Sequence, residues 1–470
     1  MSKHVAIFGG GITGLATAYA LQSRSQHEVK ITLLESNSQL GGRIKTQKQN
    51  GFVLEGGPDS FLAGKKSIRK MIEELGLNGA LLSPRPESKG TYIWYGDRLH
   101  RFPMGVLPMI NSQLISWPGK IRMGMELLIP PQSGNEDESL ASFITRRFGT
   151  EALDKMAGPL IAGIYSADAT RLSIRSSFSM LPAMESGYGG VLRGLIEKVL
   201  LSPPSSQGGS GISLLTPVGG MQTLPDAIAQ KLPSESIRLN SQLKKLTRDS
   251  NSYKIELTSG EVFVVDAVVM ATPAHAAADL VSTLDASLAE TLRTIPYAST
   301  ATMSLGYRSQ DLPDSSEGSG FPKGSGFMVP RKANRGISAC TWTSQKFSDR
   351  APEGHSLLRV FVGGRGLDAL AEQGEEQLID LARLELRNSM GIEADPVVTS
   401  LFRWTKANPQ YEVGHAARVA QIEKQTAKHS GLYLAGSAYY GAGISDCIES
   451  ASRTVNALLA SESAGKERSR

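Results

Sequence analysis

Glycines 9, 11 and 14, in Gly9-Gly10-Gly11-Ile12-Thr13-Gly14, stand between the apolar run Val5–Phe8 and a helix-compatible stretch beginning at Ile12. Gly9 permits a tight turn, Gly11 lets a pyrophosphate reach the backbone, and Gly14 lets the helix pack closely on the strand. A phosphate placed there meets the free N–H groups and the positive end of a helix opening at Ile12 and Thr13. A second apolar run, Lys30–Glu35, ends in Glu35-Ser36, where a carboxylate can accept hydrogen bonds from ribose hydroxyls. This pattern predicts a dinucleotide-binding βαβ unit. Gly41-Gly42-Arg43 follows, a second glycine turn that favours FAD over NAD because the longer cofactor runs on beyond the first unit. Glu55-Gly56-Gly57-Pro58-Asp59-Ser60-Phe61 is another loop of close approach. Near the other end, Leu434-Ala435-Gly436 through Gly443-Ile444 repeats strand, glycine turn and helix start, and a helix N-terminus there can stabilise negative charge on a reduced flavin ring.

The elements that must position these groups read as an α/β chain. Its 470 residues amount to roughly three domains at about 150 residues each. Ile68, Met71, Ile72 and Leu75 line one face of a helix over 65–77. From about 86 to 200 a hairpin-like Tyr92–Phe102 precedes helical patterns such as Glu151 to Ile164, which suggests an inserted helical subdomain. Ser202–Ser213 reads as a linker and Asp314–Gly326 as a Gly/Ser-rich loop. Lys254–Leu257, Glu261–Met270, Ser338–Thr343, Leu357–Gly363 and Leu432–Ala435 are strand-like. Gly374 to Met390 contains a long helix, and another runs from Ile444 to about Ala460.

Composition excludes several classes. Two cysteines, Cys340 and Cys447, cannot build a disulfide framework and argue against an iron–sulfur cluster or a Cys-based zinc site, so no metal centre is expected. The net charge of +5 comes in short blocks, which argues against nucleic acid and fits an anionic small substrate or a membrane surface. The first apolar run is too short for a signal-peptide core, so a cytoplasmic protein is expected, with contact at the inner face of a membrane left open.

The glycine motifs, the strand Val264–Ala271 running into Thr272-Pro273-Ala274-His275, and the closing Gly441-Ala442-Gly443-Ile444-Ser445-Asp446-Cys447-Ile448 resemble the flavin-dependent amine oxidase superfamily. Within it the chain is similar to the oxygen-dependent porphyrinogen oxidases of haem synthesis. Gly57-Pro58-Asp59-Ser60-Phe61, Gly158 to Asp168 (GPLIAGIYSAD), Gly219 to Leu224 (GGMQTL), Ala351-Pro352-Glu353-Gly354 and Asn408 to His415 (NPQYEVGH) carry that narrower match. The resemblance implies an FAD-binding Rossmann-like domain with a mixed-sheet substrate domain and an inserted helical domain. The FAD part would comprise residues 1–64, 213–280 and 405–465, the substrate part 65–85 and 281–404, and the helical part, of membrane or lid type, 86–212. It also implies that protoporphyrinogen IX or coproporphyrinogen III is dehydrogenated in three two-electron steps. Each would pass a hydride to flavin N5, with O2 reoxidising the flavin to give peroxide, and no catalytic acid, base or nucleophile is required. Homodimerisation and handover of product to a ferrochelatase are further readings it leaves open.

For the cofactor, the resemblance points to Gly9, Gly11, Ile12, Thr13, Gly14, Glu35, Ser36, Gly42, Arg43, Gly57, Pro58, Leu243, Ala271, Trp404, Gly436, Gly443 and Ile444. For the substrate it points to Ala162, Gly163, Met328 and Phe347. Plant-type enzymes hold a propionate with an Arg at the start of a strand. That Arg is absent from Lys89-Gly90-Thr91-Tyr92 here, which leaves Lys65, Lys66 and Lys89 as candidates. Leu243, Trp404, Met328 and Phe347 also make sense as core, and Lys65 and Lys66 as solvated charges. Cys447 reads as a buried structural thiol, and His275 and His415 as structural histidines. Tyr439 and Tyr440 are either an aromatic wall or packing. Val106–Trp117 is either a membrane-touching face or a core helix or lid. An oxidase of amines or polyenes, and a non-catalytic escort on the same fold, are the competing functions.

Overall fold

Five short runs, far apart in sequence, meet in one parallel sheet. In the computed structural model, which describes residues 3–25, 29–132, 134, 136–201, 214–250, 252–313 and 322–468, its strand order is Ile237–Arg238, Val29–Leu34, Lys3–Phe8, Ala267–Met270, Leu432–Leu434. The Ser202–Ser213 linker and most of the Asp314–Gly326 loop read from the sequence lie outside the described residues. Side chains alternate between the two faces of the sheet. Val5, Ile7 and Val269 pack against the helices Ile12–Arg24 and Ile444–Arg468. Ala6, Phe8, Val268 and Met270 pack against an antiparallel three-stranded sheet and the helix Ala274–Val281. Covered on both faces, the central runs Val5–Phe8 and Ala267–Met270 are apolar throughout, as buried parallel strands are.

The stretch Glu261–Met270, read as one strand, is two. Val262–Val265 pairs antiparallel with Ser252–Leu257, whereas Ala267–Met270 enters the parallel sheet. The corner is pinned at Asp266, whose N–H donates to the His4 carbonyl (2.9 Å) and whose carboxylate accepts the His4 N–H (2.7 Å).

A seven-stranded mixed sheet forms the second layer, in the order Val398–Pro409, Tyr297–Arg308, His355–Gly363, Ala339–Trp342, Gly326–Met328, Tyr92–Tyr95, Arg98–Arg101. Helix Glu375–Met390 lays Leu378, Ala382 and Leu386 on its core. Residues between 106 and 201 form a helical layer. Val106–Trp117 is not one helix. Val106–Asn111 ends, Leu114 and Ile115 dip into the core, and Ser116 caps a new helix, Trp117–Gly124, by accepting from the Gly119 N–H (3.2 Å). Ahead of Gly158–Tyr165 the chain makes one π turn, Leu153–Ala157. Pro159 has no N–H with which to continue the regular ladder.

This layer is held by a charge pair with no exposure at all: Arg147 bonds Glu126, whose carboxylate also takes the N–H groups of Val191 (2.8 Å) and Leu192 (3.1 Å). Removing one partner strands the other in a low-dielectric interior. Glu126→Ala is therefore expected to destabilise the fold by ~3–5 kcal/mol, read as a drop in denaturation midpoint. A loss below ~1 kcal/mol would contradict the role of this pair.

Candidate functional site

The N-terminal strand ends where helix Ile12–Arg24 begins, and the join is made of backbone packed on backbone. A Cβ on Gly14 would lie 1.9 Å from the Gly9 carbonyl oxygen. Gly9 is closed off on its other side by the Ala271 carbonyl, at 2.7 Å from an added Cβ. Gly11 differs. It pairs with Gly41 as an isolated bridge, and its missing Cβ would meet nothing nearer than the Gly42 Cα at 3.9 Å. The helix has no side-chain cap and no acidic residue in its first turn, so the N–H groups at Ile12 and Thr13 face an open cradle formed with the exposed Gly42. Glu35 is buried at the next strand end. Its carboxylate accepts the Gly10 N–H (2.6 Å) and the Asn37 N–H (2.9 Å), and Ser36 beside it is exposed.

Arg43 draws three chain segments together. It donates to the Ala407 carbonyl and Asn408 Oδ1 (both 3.1 Å) and to Ser437 Oγ (3.1 Å). Gly436 lies close to Thr13, Oγ1 being 3.7 Å from its would-be Cβ, which brings the closing glycine turn onto the first helix. The helix at Ile444 is capped by its own chain: Asp446 accepts the Gly443 N–H (3.1 Å) and pairs with Lys65. That N-terminus therefore already faces a carboxylate, which weakens the idea that it meets charge on a reduced ring. Gly57 and Pro58 follow a carbonyl, Gly56 O, to which Trp404 Nε1 donates at 2.8 Å. Trp404 is thus bound to the loop, whereas the Leu243 side chain is buried in the core beneath the parallel sheet.

On the substrate side the structure brings Gly163 and Met328 together. A Cβ on Gly163 would sit 3.3 Å from Met328 Cγ, and Ala162 is buried beside it. Phe347 is fully buried and faced by the Arg350 guanidinium (5.4 Å) and Lys346 Nζ (5.1 Å), so it is a core side chain here. Lys65 is exposed, but its charge is met by Asp446 and by Glu449 (3.5 Å). Lys89 has no carboxylate partner among the described residues. It lines an open cavity of about 730 Å³ with His100 and Arg101.

A buried cluster of charges escaped the sequence reading. Burial works to raise the Asp59 pKa, but Lys346 (2.9 Å) and Arg359 hold its carboxyl well below the usual range. Burial lowers the Arg359 pKa against the pull of Asp59 and Glu55, and it raises that of Glu55 despite Arg350. The signal was present as an arginine in the middle of the apolar strand His355–Gly363. His415 is also buried. Burial pushes its pKa down to about 4, and as a neutral ring it donates from Nε2 to the Tyr439 carbonyl (3.1 Å), a tether and not a base. Cys447 is buried too, which pushes its thiol pKa up. Tyr440 is exposed against Arg453, whereas Tyr439 is buried with its hydroxyl unpartnered among the described residues.

The sequence matches "Flavin containing amine oxidoreductase" over residues 12–459. The chain belongs to that family. Coproporphyrinogen III oxidase of Bacillus subtilis is 31% identical, covering 97% of this chain and 98% of its own. Chloroplastic protoporphyrinogen oxidase 1 of Arabidopsis thaliana is 28% identical, covering 95% and 86%. A crystal structure from Exiguobacterium sp. 255-15, assigned as a protoporphyrinogen oxidase, superposes with a TM-score of 0.85 at 30% identity, over 97% of this chain and 99% of that one. Reduced UDP-galactopyranose mutase, at 16% identity and a TM-score of 0.75 over 98% of this chain and 94% of its own, shares the fold.

The cofactor is FAD, and the residues present fit it. The Gly11–Gly42 cradle is open where a pyrophosphate needs backbone contact, and Thr272 Oγ1 beyond Ala271 is buried without a partner among the described residues. Gly11→Ala should leave apoprotein stability within about 0.5 kcal/mol, since its Cβ meets open space, yet weaken FAD at least tenfold in a flavin-fluorescence titration. Gly14→Ala should destabilise even the apoprotein, by ~1–3 kcal/mol in denaturant melts, because its Cβ strikes the Gly9 carbonyl.

Proposed function

We propose that this chain oxidises a porphyrinogen to the porphyrin with O2 as electron acceptor, and that coproporphyrinogen III is its substrate. The observation that carries the reading is similarity along the whole length of both chains to the Bacillus subtilis enzyme, with the Staphylococcus aureus and Propionibacterium freudenreichii coproporphyrinogen III oxidases each at 29%. Bound FAD supplies two-electron acceptance and reoxidation by O2. The protein's part is to bind, orient and exclude water. Glu35 and the Gly11–Gly42 cradle hold the nucleotide, with Ile12, Thr13, Ala271 and Gly436 around them. Arg43, Gly57, Pro58 and Trp404 set the ring end, and Gly443 and Ile444 close the site. Gly163, Ala162 and Met328 form an apolar wall on which a macrocycle lies flat. Residues 1–64, 213–280 and 405–465 act as the FAD part, a division supported by the origin of the parallel strands.

Four carboxylates distinguish coproporphyrinogen III from the two of protoporphyrinogen IX. Lys89, with Arg101 near it and no carboxylate to neutralise it among the described residues, is a better contact for one of them than Lys65. Holoenzyme given each porphyrinogen anaerobically and then air should produce coproporphyrin fluorescence at least tenfold faster than protoporphyrin. A preference for protoporphyrinogen IX would overturn the substrate choice, and no rate above the enzyme-free blank with either would overturn the reading itself.

The helical layer also carries an apolar edge. Met104, Val106 and Leu107 are 75%, 77% and 73% exposed, and Trp117, Ile121 and Leu128 stand out beyond them, with Lys120 over the Trp117 ring (4.6 Å). No helix among the described residues is long and apolar enough to cross a membrane. Exposed apolar side chains beside cations suit peripheral contact with an anionic lipid surface. The protein should float with vesicles containing anionic phospholipid more than with neutral ones, and Val106→Asp with Leu107→Asp should abolish this. Equal flotation of the double variant would reject the contact.

A further inference from the structure

The Gly56 carbonyl is an unusually crowded acceptor. Thr302 Oγ1 (3.0 Å), Arg359 Nη2 (2.9 Å) and Trp404 Nε1 (2.8 Å) all donate to it, from three adjacent strands of the seven-stranded sheet. The same Arg359 nitrogen also donates to the Gly57 carbonyl (2.5 Å). The sheet thus holds one peptide plane from one side. That peptide is trans, so its N–H, on Gly57, points opposite to its carbonyl, away from the sheet. The Gly57 N–H has no acceptor among the described residues. Gly57 is also pressed onto the second glycine turn, since a Cβ there would lie 1.7 Å from the Arg43 carbonyl oxygen.

A cation bonded to an amide carbonyl polarises the amide and strengthens its N–H as a donor. Arg359 is buried, and its Nε has no partner among the described residues. Asp59 and Glu55 supply the opposite charge that makes such a buried group tolerable, and its Nη2 is aimed at the Gly56 carbonyl. We propose that Arg359 is a positioning residue that, through the Gly56 carbonyl, aims the Gly57 N–H at the ring of bound FAD and favours the negative charge that ring gains on reduction. Thr302 and Trp404 fix the same peptide plane. The inference rests on the reading of Gly57 as a cofactor contact, and its readout is the flavin itself. A preorganised donor of this kind costs nothing to reorganise when charge develops.

The test uses FAD-loaded protein equilibrated anaerobically with a reference dye, without porphyrinogen. At one set potential, Arg359→Met should lower the ratio of reduced to oxidised flavin at least tenfold. Arg359→Lys, which keeps the charge but not the paired contact, should recover part of the loss. Thr302→Val should shift the ratio two- to threefold in the same direction, and it carries the test if Arg359→Met fails to fold. Unchanged ratios in Arg359→Lys and Thr302→Val, including a result in which FAD merely dissociates faster, would overturn the proposal. Because no substrate is present, a wrong porphyrinogen assignment leaves the outcome untouched. Loss of FAD in Gly11→Ala with normal ratios in the Arg359 variants would separate this failure from failure of the binding site.

Discussion

A helix end and a strand turn in contact through bare backbone set the terms for the rest of the molecule. Between Gly14 and the Gly9 carbonyl there is no space for a methyl group, and the same holds between Gly57 and the Arg43 carbonyl. Close approach aligns peptide dipoles and exposes N–H groups along one line, which is what a long, doubly phosphorylated cofactor can grip. The parallel sheet follows from this need. Its strands come from residues 3–8, 29–34, 237–238, 267–270 and 432–434, so the sheet beside the glycine cradle is gathered from the whole chain.

Such an assembly needs ties between segments that chain connectivity does not supply. Arg43 makes three of them, to Ala407, Asn408 and Ser437. The Gly56 carbonyl makes another set by accepting from the seven-stranded sheet. Buried Arg359, Arg350 and Glu55, with the partly buried pair Lys346 and Asp59, gather charge in the interior, where each ion would be costly alone and is tolerable only with its partners.

The Pro409 to His415 stretch, one of the motifs that carry the sequence resemblance, is built into the frame. Glu412 accepts from Arg171 (2.8 Å) and Arg365 (2.7 Å), joining the helical layer to the second sheet. Tyr411 donates its hydroxyl to the Ser437 carbonyl (2.5 Å) and stacks on His415 at 4.2 Å, joining both to the closing glycine turn. Gln410 lies among these contacts, buried, and Gly414 donates to Asp137 (2.9 Å). A histidine in this frame is kept neutral by its surroundings and serves packing.

The sequence alone determined the βαβ start, the three glycine turns, the charge class and, through its motifs, the kind of oxidase. Those signals are local: a glycine beside a helix start means the same thing wherever the chain goes. Contiguous strands and helices were legible for the same reason, except where a corner such as Asp266 or a break such as Ser112–Ser116 depends on what lies across the gap. Only the tertiary structure decided which charges are spent and which are free. Lys65 proved to be paired, Phe347 enclosed, and Arg359 placed against the Gly56–Gly57 peptide. Such outcomes depend on neighbours hundreds of residues away, and the dielectric a charge feels is a property of the packed interior that no local pattern encodes.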